Sequence, residues 1–353
     1  MNRSDDRRTS LTDADSAVQQ KHAPRPLPLF LELVRMVSEQ EPELAARALE
    51  GLAKYEAAPR ERRRSERRIV ARAGPAALRD CGGSGAPVVL VPSLINPPDV
   101  LDLDEASSLA GAVAAMGRHT LLLDWGAARE RRALGLGGHV TELLLPLLGE
   151  LDSPPALVGY CLGGTMAIAA ASLTQLERVA TLAAPWHFAA YPPESRDSLL
   201  RLWDSTRRAA SDLKALPMEV LQSAFWSLDP KRTVAKFASF AESDPDSAGA
   251  RRFVTLEDWA NEGQPLPYPA ARELIEDLFG KDLPGRGEWQ IGGRAMTERV
   301  ACPLLHIAAF ADRITPAATA PAGKTLQAGS GHVGMVVGSA RARLHEALAE
   351  FLV

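Results

Sequence analysis

Short runs of β-branched and aliphatic residues alternate with helix-like stretches through most of this chain, and that alternation restricts the folds open to it. The runs are PVVLVPS (87–93), HTLLLDWG (119–126), PALVGYC (155–161), RVATLAAP (178–185), PLLHIAAFAD (303–312) and KTLQAGSGH (324–332). Amphipathic or small-residue segments near 105–117, 138–151 and 162–176 lie between the first four. Runs that are apolar on both alternating faces belong to strands covered from both sides, so the pattern predicts an α/β fold with a mostly parallel, doubly wound sheet. Side chains that do chemistry in such a sheet gather at the carboxyl ends of the strands. The stretch 186–300 separates the fourth run from the fifth without a strand rhythm. Structureless loops of that length are rare in compact domains, which predicts a large helical cap inserted into the sheet domain.

The expected organisation is therefore a disordered leader over 1–26, an N-terminal helical region with a basic linker over 27–75, a core formed by 76–185 and 301–353, and a cap over 186–300. The leader mixes both charge signs with few large apolar side chains, so ordering it gains little burial. Residues 27–55 show apolar spacing of three and four, as an amphipathic helix does, with a break expected near Pro42. Arg60 to Arg68 form a basic run in a chain whose 40 Lys and Arg face 44 Asp and Glu. Such a run reads as a solvated linker or as a seat for an acidic or phosphate-bearing partner. The net charge of −4 offers no general attraction to nucleic acid. No apolar run approaches the length of a membrane span, and the first residues lack a signal-peptide core, so a cytoplasmic protein is expected. Its three cysteines, Cys81, Cys161 and Cys302, have neither metal nor C-x-x-C spacing, and no metal is expected.

Val158 to Thr165, VGYCLGGT, carries the clearest chemical signal. A strand runs into Gly159-Tyr160-Cys161-Leu162-Gly163 and then into a small-residue helix, the G-x-nucleophile-x-G elbow with Cys in the nucleophile position. Glycine on either side removes Cβ atoms that would collide where strand and helix cross. The backbone N–H of Leu162, at the helix start, is placed to hold an oxyanion. Elbows of this kind take their acid and histidine later in the chain, in that order. Asp312 ends a predicted strand, and His332 lies in the Gly-rich GSGHVG that follows the last one. His139 and His187 stay open as alternative bases; the other histidines read as structural or surface groups. The loop Pro92 to Pro98 should supply a second oxyanion N–H at Ile95. Asn96, Trp125, Trp186 and His187, close after strand ends, are expected to line the substrate site.

The segments PSLINPPDVLDL (92–103), LLLDWG (121–126), GYCLGGT (159–165), FADRITP (310–316) and SGHVG (330–334), in this order, resemble the polyhydroxyalkanoate synthase family. The resemblance implies an α/β-hydrolase fold and an acyltransferase that takes 3-hydroxyacyl groups from CoA through a Cys161 thioester. It implies His332 as general base and Asp312 as the carboxylate that orients it, with CoA as acyl carrier and no cofactor. Arg313 stands where these synthases carry His, and the interval from Asp312 to His332 is shorter than theirs. The chain is similar in size to the small synthase subunits, which implies a partner synthase subunit or a homodimer, and an association with polyester granules. A hydrolase with the same triad, acting on a thioester, ester or polyester, is the alternative. A non-catalytic granule or partner-binding subunit is the third reading, and the intact elbow, acid and histidine count against it.

Overall fold

The computed structural model describes residues 22–60 and 67–353. Two helices come first, α1 (Leu27–Ser38) and α2 (Pro42–Ala57), each with proline in the opening turn, where its missing N–H costs no helical bond. The sheet strands are β1 (Ile69–Ala73), β2 (Ala76–Gly82), β3 (Pro87–Val91), β4 (His119–Asp124), β5 (Ala156–Tyr160), β6 (Arg178–Leu182), β7 (Leu304–Ala309) and β8 (Thr325–Ala328). Helices α3 (Leu109–Ala115), α4 (136–149) and α5 (Leu162–Ala171) connect β3 to β6. Helices α6 (Pro193–Leu213), α7 (Met218–Ser227), α8 (Pro230–Glu242), α9 (Ala248–Asn261) and α10 (268–280) lie between β6 and β7, and α11 (Arg341–Leu352) closes the chain.

The strands are ordered β1-β2-β4-β3-β5-β6-β7-β8. Pairing is antiparallel at β1/β2 and β2/β4 and parallel from β4 onward. This is the α/β-hydrolase fold. Side chains alternate between the two faces of each strand. Val89, Val91, Leu121, Leu123 and Leu157 turn toward α4 and α5. Val88, Leu90, Leu122, Val158 and Ile307 turn toward α3 and α11. Both faces are dry, which is why the strands read as continuous apolar runs.

One boundary differs from the sequence expectation. The β1 strand falls inside 27–75, the region assigned to N-terminal helix and linker, so the sheet begins at Ile69. As an edge strand, β1 has exposed residues and an Arg in its sequence IVARA, and no long apolar run marks it. Residues 22–26, grouped with the leader, are docked: the Arg25 backbone N–H donates to Asn261 Oδ1 at 3.0 Å, and its guanidinium reaches Glu219 at 2.6 Å. The rest of the leader, 1–21, lies outside the described residues, as do 61–66 of the basic run. The ends of that run are engaged within the chain, Arg60 with Asp258, Arg67 with Asp102 and Arg68 with Asp80. No helix among the described residues is long and apolar enough to cross a membrane.

The N-terminal helices pack on the cap. Phe30, Val34, Ala48, Leu52 and Tyr55 form one cluster with Trp226, Val234 and Phe237. The crossing of α2 and α8 is so close that a Cβ on Gly51 would lie 1.9 Å from the Phe237 carbonyl oxygen. Gly51→Ala should therefore cost about 1–3 kcal/mol through overpacking. Gly149→Ala, where a Cβ meets nothing within 4 Å, should stay within about 0.5 kcal/mol of the parent in either direction. Urea denaturation of both variants checks this; equal midpoints would show that the crossing relaxes.

Candidate active site

The β5 strand is buried along its whole length and ends at Tyr160. Cys161 then takes φ 55° and ψ −130°, a conformation that side chains rarely adopt and that stores about 1–3 kcal/mol of strain. Two backbone bonds hold it there, Cys161 N–H to the Leu182 carbonyl and Gly164 N–H to the Cys161 carbonyl, both at 2.8 Å. The flanking glycines make the turn possible. A Cβ on Gly159 would lie 2.4 Å from Gly164 Cα, and one on Gly163 would lie 2.2 Å from the Val91 carbonyl oxygen. The elbow read from GYCLG is thus a steric requirement, and it leaves the thiol at the start of α5 facing the cap.

Asp312 follows the end of β7, and both of its carboxylate oxygens are occupied. Oδ1 accepts the backbone N–H groups of Ile314 and Thr315 at 2.8 Å each, and Oδ2 lies 2.6 Å from His332 Nδ1. A carboxylate accepts, so Nδ1 carries the hydrogen and Nε2 is turned to the thiol. His332 sits in the loop after β8, its side chain only 9% exposed, and hydrogen-bonds with Cys161 as well. Burial alone would lower its pKa, but the charges of Cys161 and Asp312 and their hydrogen bonds outweigh that and raise it to about 10. Cys161, His332 and Asp312, placed in one site from sequence, do converge.

Tyr160 was not foreseen. Its ring lies 5.0 Å from the His332 imidazole, and its hydroxyl donates to the His332 carbonyl at 3.4 Å, so the residue before the thiol supports His332. Its place inside the elbow, GYCLG, was the available signal.

A cavity of about 470 Å³ opens between cap and core above Cys161, a volume in the range of small-molecule sites. Ile95 and Leu162 line its floor. Among the described residues their backbone N–H groups have no hydrogen-bond acceptor in the chain. Leu199, Leu202, Leu221, Phe225 and Phe279 from the cap helices make its walls largely apolar, and Tyr191 adds a buried hydroxyl. Most of this lining comes from the cap, whose apolar residues at helical spacing did not reveal which side faced the thiol.

The four residues expected to line the substrate site are not in its wall. Asn96 Nδ2 donates to the Ala260 carbonyl at 3.3 Å and ties its loop to the cap. Trp125 is buried, with its indole N–H on the Pro92 carbonyl at 3.0 Å. Trp186 packs edge-on against Trp289 in the core, and His187 meets Glu298 at 3.0 Å. Position after a strand end predicts nearness to the site, but large side chains with one polar atom turn to whichever face offers both burial and an acceptor. His139 is not a base either. Burial lowers its pKa to about 4, its Nδ1 contacts the Gly135 carbonyl at 2.6 Å, and Nε2 faces Arg131.

The raised His332 value has a signed consequence. A folded pKa above that of the free imidazole, about 6.5, gives stability that is complete below that pH and is lost as pH rises through about 10. The difference in unfolding midpoint between the protein and its Asp312→Asn variant should therefore shrink between about pH 6 and pH 10.5. A difference that stays constant over this range would show that the ring is not held charged by its neighbours.

No protein-family model matches the chain. Over 277 residues it is 25% identical to the poly(3-hydroxyalkanoate) polymerase subunit PhaC of Haloferax mediterranei, covering 72% of this chain and 55% of that protein. It is 25% identical over 278 residues to the subunit of the same name from Haloarcula marismortui, covering 72% and 57%. The subunit from Allochromatium vinosum is 24% identical over 289 residues, covering 75% and 80%. The chain spans a little over half the length of the first two. Among solved structures, epoxide hydrolase A of Mycobacterium thermoresistibile matches with a TM-score of 0.47 and 17% identity, covering 82% of this chain and 98% of that one. An esterase from Exiguobacterium antarcticum matches with a TM-score of 0.47 and 12% identity, covering 80% and 99%.

Proposed function

We propose that this chain is an acyltransferase of the polyhydroxyalkanoate synthase type, which accepts 3-hydroxyacyl groups from CoA on Cys161. The observation that carries the reading is the convergence of Cys161, His332 and Asp312, with Cys161 in the lining of a largely apolar cavity roofed by the cap. Relatedness to three polymerase subunits supports the choice of substrate class.

In the first half-reaction the Cys161 sulfur attacks the thioester carbonyl carbon as a thiolate, its proton already held on His332 Nε2. The carbonyl oxygen takes up the charge between the N–H groups of Leu162 and Ile95. The bond to the CoA sulfur then breaks, that sulfur leaves with the proton from His332, and the acyl group stays on Cys161. A thiol suits this exchange because the attacking and leaving sulfurs are similar, so the transfer is nearly balanced. In the second half-reaction His332 takes the proton of an incoming 3-hydroxyl group. The oxygen forms an ester with the acyl carbon, and Cys161 leaves as the thiolate. Asp312 keeps the imidazole in the tautomer that both steps require. CoA enters only as carrier, and the scheme uses no cofactor. The largely apolar walls suit the acyl chain and an acceptor alcohol that carries one.

Incubation of the protein with 3-hydroxybutyryl-CoA and 3-hydroxyoctanoyl-CoA, with free CoA assayed and products identified by mass spectrometry, tests this. Release of CoA with ester-linked oligomers, absent in Cys161→Ala, is the expected result. Release with only free hydroxy acid would make water the acceptor and the protein a hydrolase. His332→Gln should lower turnover by about 10³-fold or more, as loss of a triad base does. Full activity in that variant would remove His332 from the mechanism.

A further inference from the structure

Arg131 is almost completely buried, and among the described residues it has no carboxylate within ion-pair distance. Buried guanidinium groups are usually paired, because an uncompensated charge is costly in a low-dielectric interior. Here the nearest acid that influences it, Asp124, is bound by Arg79. The partners of Arg131 are neutral: His139 Nε2 at 3.1 Å, the Gly126 carbonyl at 3.4 Å and the Leu94 carbonyl at 3.5 Å. The first of these is kept neutral by burial and by the charge of Arg131 itself, which together outweigh its contact with the Gly135 carbonyl.

The Leu94 contact is long for a hydrogen bond, so it acts chiefly through charge, and its position gives it a purpose. The Leu94 carbonyl and the Ile95 N–H belong to one peptide unit, and in a trans peptide they point in opposite directions. Ile95 lines the cavity beside Cys161. A cation at the oxygen end of that peptide polarises it and makes the N–H end a stronger donor. Three other carbonyls of the loop are held by neutral donors, Pro92 by Trp125, Ile95 by the Gln264 N–H and Pro97 by Trp259. Of these four carbonyls, that of Leu94 is the one that faces a charged group.

We propose that Arg131 is a positioning residue of the oxyanion site, whose buried charge behind the Leu94–Ile95 peptide orients the Ile95 N–H toward Cys161 and strengthens it as a donor. The inference rests on the reading of Cys161 as the acyl-accepting nucleophile. Arg131 touches no substrate atom. It acts on the oxygen that becomes negative when the acyl carbon is attacked, and on no step that lacks such an oxygen.

That restriction supplies the test. Arg131→Met and Arg131→Lys are compared with the parent in CoA release from 3-hydroxyacyl-CoA, in affinity for an alkyl trifluoromethyl ketone, and in the rate of Cys161 alkylation by iodoacetamide. The ketone adds the sulfur to its carbonyl carbon and leaves a charged oxygen in the site. Iodoacetamide forms an S–C bond with loss of iodide and forms no oxyanion. Arg131→Met should lower kcat by about 10²-fold with KM nearly unchanged, as loss of one oxyanion donor does. Its ketone affinity should fall by a similar factor while alkylation keeps the parent rate. Arg131→Lys, which keeps the charge, should recover most of both losses. Should the methionine variant not fold, Arg131→Gln removes the charge with less change of shape and carries the same expectation. Unchanged kcat in the charge-removing variant would overturn the proposal, as would a parallel loss of alkylation, which would mark Arg131 as merely structural. If the parent alkylates at Cys161 yet releases no CoA and binds no ketone, the acyl-transfer reading itself fails and takes the proposal with it.

Discussion

Everything at this site depends on a turn in which the backbones of two strands and one helix meet with no room for a Cβ. Gly159 and Gly163 give up their side chains so that β5 can enter α5 against the end of β3. The cost is passed to Cys161, which is held at positive φ by backbone bonds to Leu182 and Gly164. A residue in that conformation cannot turn back into the sheet. Its thiol is presented at the helix start, and the position of every other functional group is set relative to it.

The cap does more than cover the thiol. Gln264 and Trp259 bind carbonyls of the loop that carries Ile95, and Ala260 receives the Asn96 amide, so this loop is shaped jointly by core and cap. The cap is braced from outside in turn. The helices α1 and α2 close a cluster of aromatic and aliphatic side chains over α8, and Arg25 ties the approach to α1 to the cap. Arg313, in the loop after Asp312, reaches Asp229 at the start of α8 with a 2.8 Å ion pair. The acid of the triad thus sits one residue from a direct link to the cap.

Much of this was legible in sequence where a steric or periodic rule applied. Buried parallel strands show as unbroken apolar runs, the elbow shows as glycines around a nucleophile, and the acid and histidine show as polar residues after strand ends. The edge strand β1 was not legible, because an exposed strand carrying Arg has no apolar signature. Nor were the roles of Trp125 and Trp186, since burial against Pro92 and Trp289 depends on contacts distant in the chain. Tyr160 and Arg131 were missed for the same reason. Each acts through a neighbour brought up by tertiary structure, the loop of His332 in one case and the loop of Ile95 in the other.

The placement of charge around Cys161 gives the site a direction. On one side Asp312, its side chain fully buried, favours a proton arriving on His332. On the other, Arg131 lies buried behind the peptide that offers the Ile95 N–H. The proposed attack of Cys161 on an acyl carbon moves charge along the same line: the proton stays on the histidine and negative charge grows on the oxygen. Fixed charges that are already arranged for this separation need not reorganise as it occurs, and burial of Asp312 and Arg131 keeps their screening small. An arrangement of that polarity serves both formation and discharge of a thioester, because each passes through an oxyanion in the same place. In the proposed reaction the acceptor is decided by which nucleophile the cap admits, and a largely apolar chamber lined by Leu199, Leu202 and Phe225 suits one that carries an alkyl chain.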